Sequence, residues 1–156
     1  MSTRISVAVQ QQDVSIAEEY DQLRGQSADA GAVVFFSGCV RADTDSEPVE
    51  ALLLEHYPGM TEMSLQDIAQ QAVEQWQLQA VRVVHRVGRI ARGEQIVFVG
   101  TAARHRRDAF AAAEFVMDYL KTRAPFWKKA VYASGERWVE AHEKDLSAAA
   151  RWQISN

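Results

Sequence analysis

The sequence predicts an α+β protein in which a mainly antiparallel sheet is packed by helices. Strand-like and helix-like segments interleave along the 156 residues. Several strand candidates are joined by short turns, which favours antiparallel pairing over a doubly wound sheet. The GxGxxG and Walker patterns of nucleotide-binding α/β folds are absent. No linker or internal repeat interrupts the composition, so we expect one domain over residues 1–156.

The first elements are a strand, a short helix and a long apolar strand. Residues 3–10 alternate in polarity, and Ser15 can cap a helix from Ile16 to about Leu23 that ends at Gly25. The run 31–41, GAVVFFSGCVR, has apolar side chains on both alternation faces. That pattern predicts a strand covered on both sides.

An acidic loop over 42–47 separates this strand from a second one over 49–57, which closes at a ProGly turn. A long helix from Thr61 to about Trp76 follows. We interpret five of its apolar side chains, which recur at helical spacing, as core: Met60, Met63, Ile68, Ala72 and Trp76.

The second half of the chain predicts four strands around one helix. Strands over 81–87 and 95–101 are expected to be neighbours in one sheet. A helix over 107–122 places Phe110, Ala113, Met117 and Leu120 on one face. Strands over 127–132 and 137–140 come next, and we expect the tail from about residue 146 either to be mobile or to contact a partner.

Composition limits the class of protein. Apolar residues make up 47% and charged residues 24%, as in ordinary globular proteins. No apolar run approaches a membrane span, and the N-terminus lacks a signal-peptide pattern, so we expect a cytosolic protein that does not bind membranes. The single cysteine agrees with a reducing compartment. The four histidines show no metal-binding spacing, and we expect neither a metal nor a cofactor.

The net charge of −4 conceals a basic segment. Residues 82–129 hold eleven of the seventeen Lys and Arg residues and four acids, whereas residues 1–81 hold three basic residues and thirteen acids. A fold that gathers the basic segment has a local positive field, which concentrates anionic ligands. The acidic remainder argues against broad nucleic-acid binding.

The run 118–129, DYLKTRAPFWKK, is the strongest candidate for chemistry. The residue before Pro125 is pushed out of the helical region, so Lys121 is predicted in the closing turn of a helix and Lys128 beyond it. Desolvation and like-charge repulsion can make such an amine usable as a base or nucleophile. The alternative, that these are solvated surface lysines, stays open on residue types alone.

Two further groups of cations can bind an anion. The cluster 104–107, RHRR, lies where a strand gives way to a helix N-terminus, whose free N–H groups attract phosphate or carboxylate. His105 and Arg106 are the stronger candidates there. Arg41, at the end of an apolar strand, can add a bidentate contact. A structural pairing with nearby acids is the alternative for each.

Cys39 can be interpreted in two ways. A thiolate beside Arg41 would be a reactive nucleophile, but free cysteines are more often small buried apolar side chains, and we favour that interpretation.

Several motifs together resemble the large, catalytic subunit of molybdopterin synthase. They are GAVVFFSGCVR, LEHYPGMTEM, HRVGRIARGEQIVFVG, the ArgHisArg cluster, MDYLKTRAPFWKK and ERWVEA. The resemblance implies an α/β hammerhead-type fold and a homodimer within a heterotetramer. It also implies a small ubiquitin-like partner whose C-terminal GlyGly thiocarboxylate supplies sulfur to cyclic pyranopterin monophosphate, giving the dithiolene of molybdopterin.

The resemblance also implies roles for particular residues. The family's essential lysine falls on Lys121 and its second lysine on Lys128, so both are predicted as catalytic. Arg41, His105 and Arg106 match its anion-binding positions. The predicted substrate-binding set is Cys39, Val40, Arg41, His105, Arg106, Lys121, Lys128 and Lys129.

The chain departs from the family pattern at two positions. Cys39 stands where some relatives have a lysine, and Ala130 stands where some have an acid. Two other functions therefore stay open: a non-catalytic module that binds RNA or another anion, and a scaffold that only holds the ubiquitin-like partner.

Overall fold

The computed structural model describes residues 4–42, 47–139, 147–150 and 152. Within these ranges the protein has eight strands and three long helices, and residues 147–150 form a further helical segment. The elements in chain order are β1 (Arg4–Gln10), α1 (Ile16–Gly25), β2 (Ala32–Cys39), β3 (Ala51–His56), α2 (Met60–Trp76), β4 (Ala80–Arg86), β5 (Gly88–Ala91), β6 (Gln95–Ala103), α3 (Arg106–Arg123), β7 (Phe126–Tyr132) and β8 (Gly135–Trp138).

The strands form two four-stranded sheets. The first has the order β1-β4-β6-β2 and the second β5-β3-β7-β8. Only the β1–β4 pair is parallel among the described strand pairs. This confirms the predicted α+β architecture with mainly antiparallel pairing. The division into two sheets and the four-residue strand β5 were not predicted, because β5 is too short to show an alternation pattern.

Helices cover both faces of the first sheet. Val83 and Val99 pack towards α2 and α3 in the largest core cluster, whereas Val84 and Phe98 belong to a second cluster with Leu23 of α1. Alternate residues of a strand point to opposite faces, so β4 and β6 are buried on both sides. Burial on both faces explains why the sequences of β4 and β6 are almost entirely apolar.

Three predictions about burial were wrong. Strand β2 lies at a sheet edge rather than in a covered position, and its Phe35 and Phe36 are each 43% exposed. Met63 is 72% exposed and Met60 57%. At 3.6 residues per turn, Met63 lies about 140° around α2 from the buried Ile68, so the two cannot share one face. Phe110, on the apolar face predicted for α3, is 62% exposed.

The end of α3 is fixed by a buried hydroxyl on α2. Ala124 is extended, as expected before a proline, and β7 begins one residue after Pro125. The Thr61 hydroxyl donates to the Pro125 carbonyl at 2.9 Å and accepts from the Tyr57 N–H at 2.9 Å. Thr61 is completely buried. This contact holds the helix-to-strand transition that separates Lys121 from Lys128.

The described part of the tail packs against the body of the protein. Trp152 contacts the rings of Trp76 and Phe115, and its indole N–H donates to Asp118 Oδ2 at 2.7 Å. The rest of the predicted tail, residue 140 of the predicted last strand and most of the predicted acidic loop lie outside the described residues. In the described part of the chain, no helix is long and apolar enough to cross a membrane.

We predict that Thr61→Val destabilises the protein by about 2 kcal/mol. The substitution keeps the shape of the side chain but removes the hydroxyl partner of the part-buried Tyr57 N–H and Pro125 carbonyl. Urea unfolding measures the change. Thr122→Val is the matched control, because the Thr122 hydroxyl donates back to the Asp118 and Tyr119 carbonyls of its own helix. Equal stability of the two variants would contradict the role assigned to Thr61.

Candidate functional site

A cavity of about 560 Å³ lies where the two sheets meet the C-terminal end of α3. Its volume suits a small-molecule ligand. The walls come from β2, β3, β4, β6, β7 and α3, so the cavity depends on elements from most of the chain. The lining residues are Phe36, Ser37, Gly38, Cys39, Arg41, Leu52, Leu54, His85, Ile96, Val97, Met117, Leu120, Lys121, Ala124, Phe126, Lys128 and Val139.

Three of the predicted cations share this cavity. Arg41 follows β2, Lys121 lies in the last turn of α3, and Lys128 lies on β7. Lysine and arginine side chains donate hydrogen bonds and do not accept them. An anion with several acceptor oxygens is therefore the ligand that this arrangement favours.

The neighbouring Lys129 does not line the cavity. Successive residues of a strand point to opposite faces, and Lys129 lies next to Lys128 on β7. Its ammonium lies 4.4 Å from the centre of the Trp138 ring, in a cation–π contact on β8. The structure thus separates these two members of the predicted substrate-binding set.

His105 and Arg106 lie at the far end of α3 from Lys121. His105 is the N-cap residue, and Arg106 begins the helix. With a rise of 1.5 Å per residue, Lys121 lies roughly 22 Å further along the axis. Both residues of the cluster are exposed, and neither lines the cavity. A single chain therefore does not bring them to the lysines.

Cys39 and Val40, both in the predicted substrate-binding set, lie in different surroundings. The predicted burial of Cys39 was wrong, because its side chain is exposed and lines the cavity. Val40 is 3% exposed and packs in an apolar cluster with Val49. The cause is local: the register of β2 against β6 shifts between Gly38 and Cys39, at the edge of the sheet. Ala130 is buried in the same apolar cluster as Val40.

His85 lines the cavity and was missing from the predicted site. Its Nδ1 lies 2.8 Å from the Arg86 carbonyl oxygen, and its ring stacks on Phe126 with 3.8 Å between centroids. The pKa of His85 is lowered from 6.5 to about 4, mainly by burial and to a smaller extent by the positive charges of Lys128 and Lys121, while the hydrogen bond to the Arg86 carbonyl acts in the opposite direction. The imidazole is therefore neutral at physiological pH.

A signal for His85 was present in the sequence. The alternation of β4 places it on the same face as Val81 and Val83, which both belong to the core. A histidine on the buried face of a strand requires a polar partner. Only the folded chain shows that its other neighbours are lysines.

The chain matches the family model described as MoaE protein over residues 9–123. It belongs to the MoaE family. The molybdopterin synthase catalytic subunit of Vibrio cholerae serotype O1 is 53% identical over 147 residues, which cover 94% of this chain and 97% of that protein. The protein of the same name from Escherichia coli K12 is 51% identical, covering 94% of this chain and 97% of its own length.

A solved MoaE structure has the same fold. The molybdopterin biosynthesis MoaE protein from Burkholderia ambifaria superposes with a TM-score of 0.80 at 49% identity. The superposition covers 98% of this chain and 99% of that one. MoaE membership and the predicted fold class are therefore both confirmed.

We predict that the pH dependence of stability contains a contribution from His85. The unfolded state binds a proton near pH 6.5 and the folded state near pH 4, so stability decreases as the pH falls between these values. The loss amounts to about 3 kcal/mol at pH 4. Urea unfolding at pH 7 and at pH 4.5 measures it. His85→Phe keeps an aromatic ring and should show a smaller loss; an equal loss in both proteins would contradict the assignment.

Proposed function

We propose that this chain is the catalytic subunit of a molybdopterin synthase. It transfers sulfur from the C-terminal thiocarboxylate of a small ubiquitin-like subunit to cyclic pyranopterin monophosphate, and it thereby forms the dithiolene of molybdopterin. The observation that carries the proposal is the cavity in which Arg41, Lys121 and Lys128 converge in a member of the MoaE family. The curated relatives carry the name of this subunit.

The cavity provides what the reaction requires. The sulfur of the thiocarboxylate forms a bond to an oxygen-bearing carbon of the pterin side chain, and a carbon–oxygen bond at that carbon breaks, so that the oxygen leaves as water or stays on the phosphate; the product is a thioester between the partner and the substrate. Water then attacks the thioester carbonyl, the carbon–sulfur bond to the partner breaks, and the partner leaves as a carboxylate. Two such transfers supply two sulfurs. Both the thiocarboxylate and the cyclic phosphate are anions, and three cations reduce the electrostatic repulsion between them.

Each cation has a role that follows from its position. Lys121 lies exposed at the helix end and assists the attack of sulfur or the later hydrolysis. Lys128 and Arg41 hold the substrate and stabilise the negative charge that develops on the carbonyl oxygen. The aliphatic and aromatic walls, including Leu54 and Phe126, reduce the local dielectric constant and so strengthen these interactions.

The site is completed by a second copy of the chain. His105 and Arg106 lie too far from Lys121 to act in the same cavity, yet they form an exposed cationic cluster at a helix N-terminus. We assign them to the cavity of the other subunit in a homodimer, with one ubiquitin-like partner per cavity. The complex is thus a heterotetramer.

We place it in the cytosol, in agreement with the single cysteine.

The direct experiment is product formation from thiocarboxylated partner and cyclic pyranopterin monophosphate. The dithiolene pterin is detected as its fluorescent oxidation product. Product from the wild-type protein supports the synthase. Stable binding of the partner without product would favour the scaffold, and affinity for generic RNA with a steep salt dependence would favour the anion-binding module.

We predict that Lys121→Ala lowers turnover by roughly a hundredfold or more while the partner still binds. The amine lies in the cavity, and alanine removes it without altering a buried contact. Single-turnover kinetics measure the loss, and calorimetry measures partner binding. Arg123→Ala is the control on the same helical turn, because its guanidinium lies 3.9 Å over the Tyr119 ring and outside the cavity lining. Near-normal turnover of Lys121→Ala would contradict its role.

We predict that Cys39→Ser retains turnover within about twofold of the wild-type rate. Sulfur arrives on the partner, so the mechanism requires no thiol of this chain even though Cys39 lines the cavity. The same assay measures the variant. A complete loss of activity would instead indicate that the Cys39 thiol takes part in the reaction.

A further inference from the structure

The wall of the cavity contains two titratable side chains that the sulfur transfer does not use, Cys39 and His85. His85 is buried, faces the cavity and touches groups that take part in the site. Burying an imidazole is unfavourable unless it makes hydrogen bonds. Its Nδ1 is accounted for by the Arg86 carbonyl at 2.8 Å. The remaining ring nitrogen, Nε2, is left to interact with groups in the cavity that the side chain lines.

The hydrogen bond at Nδ1 determines the tautomer. A carbonyl oxygen only accepts, so Nδ1 carries the proton in the neutral ring and Nε2 carries a lone pair. Stacking on Phe126, with 20° between the planes, fixes the orientation of the ring. His85 therefore presents a neutral acceptor on the side of the ring away from Arg86.

The strand that carries Phe126 also carries Lys128. Phe126 and Lys128 are two residues apart on β7, so they share a face and lie about 7 Å apart along the strand. Both line the cavity with His85. The charged groups that act on His85 are Lys128 from β7 and Lys121 from α3, with His56 from β3 as a further titratable neighbour.

An uncharged hydrogen-bond acceptor is suited to orient a lysine ammonium in a site that binds anions. A carboxylate would cancel the positive charge that the substrate needs, and another cation would repel Lys128. An unprotonated imidazole orients the ammonium through one hydrogen bond and leaves its charge available. We propose that His85 is a positioning residue for Lys128, with Nε2 accepting a hydrogen bond from its ammonium. The kinetic consequence rests on the proposed synthase activity, whereas the effect on His85 itself does not.

The first experiment measures the His85 ring by nitrogen-15 NMR, with no substrate present. We expect the tautomer protonated at Nδ1 at neutral pH and a pKa of about 4. Lys128→Met should raise the pKa of His85 by roughly half a unit to one unit, because it removes both the hydrogen bond and the nearby charge. Lys129→Met is the matched control, since Lys129 lies over Trp138 on the other face of β7. Equal effects of the two substitutions, or a ring protonated at Nε2, would overturn the proposal.

The second experiment compares His85→Gln with His85→Asn in the synthase assay. The glutamine carbonyl reaches the position of Nε2, whereas asparagine can replace only the shorter contact from Nδ1 to Arg86. We expect Asn to lower kcat on the order of tenfold to a hundredfold and Gln to recover part of that loss, with partner binding unchanged in both. Thermal unfolding shows whether both variants are folded.

The outcomes separate a positioning role from a purely structural one. If His85 only supports the fold through Arg86, Asn should be at least as active as Gln, and that result would overturn the proposal. If the wild-type protein forms no product, the proposed function fails. The NMR comparison of Lys128→Met with Lys129→Met then still decides whether His85 accepts from Lys128.

Discussion

The site depends on the break between α3 and β7. A continuous helix through residue 128 would place Lys121 and Lys128 two turns apart on the same rod, about 10 Å along its axis. Pro125 prevents this, since its ring excludes the helical conformation at Ala124. The Thr61 hydroxyl, buried and bonded to the Pro125 carbonyl, then fixes the direction in which the chain leaves. One lysine therefore approaches the cavity from a helix end and the other from a strand.

The same break connects the two layers of the protein. Helix α3 packs on the first sheet through small side chains such as Ala109, Ala112 and Ala113, which allow close approach. Strand β7 belongs to the second sheet, where it pairs with β3 and β8. The cavity lies at this junction, so its walls include residues from both sheets. An error in the packing of either layer would change the distances between the cations.

The electrostatics of the cavity combine strong donors with a neutral ring. Arg41, Lys121 and Lys128 gather positive charge in a protein whose net charge is −4. That charge attracts anions only if nearby groups do not neutralise it. His85 meets this condition because an imidazole carries no negative charge in either protonation state. Its low pKa comes mainly from burial, with a smaller contribution from the two lysines that suit the cavity to an anion.

The sequence by itself determined the fold class, most element boundaries and the cationic residues of the site. These depend on local rules: alternation of polarity, helical spacing and the restriction that Pro125 places on its predecessor. The predicted helix over 107–122 and the observed α3 differ by one residue at each end. The motif around Lys121 and Lys128 was sufficient to indicate the family.

Only the tertiary structure decided which of these residues meet. The exposure of Phe36 and Cys39 depends on the place of β2 at a sheet edge and, for Cys39, on the register shift of β2 against β6. The separation of His105 from Lys121 follows from the length of α3, and the exposure of Met63 follows from which face α2 buries. His85 became a candidate because it stacks on Phe126 and lines the same cavity as Lys128, more than forty residues further along the chain. Such long-range contacts have no periodic signature, so the sequence cannot specify them locally.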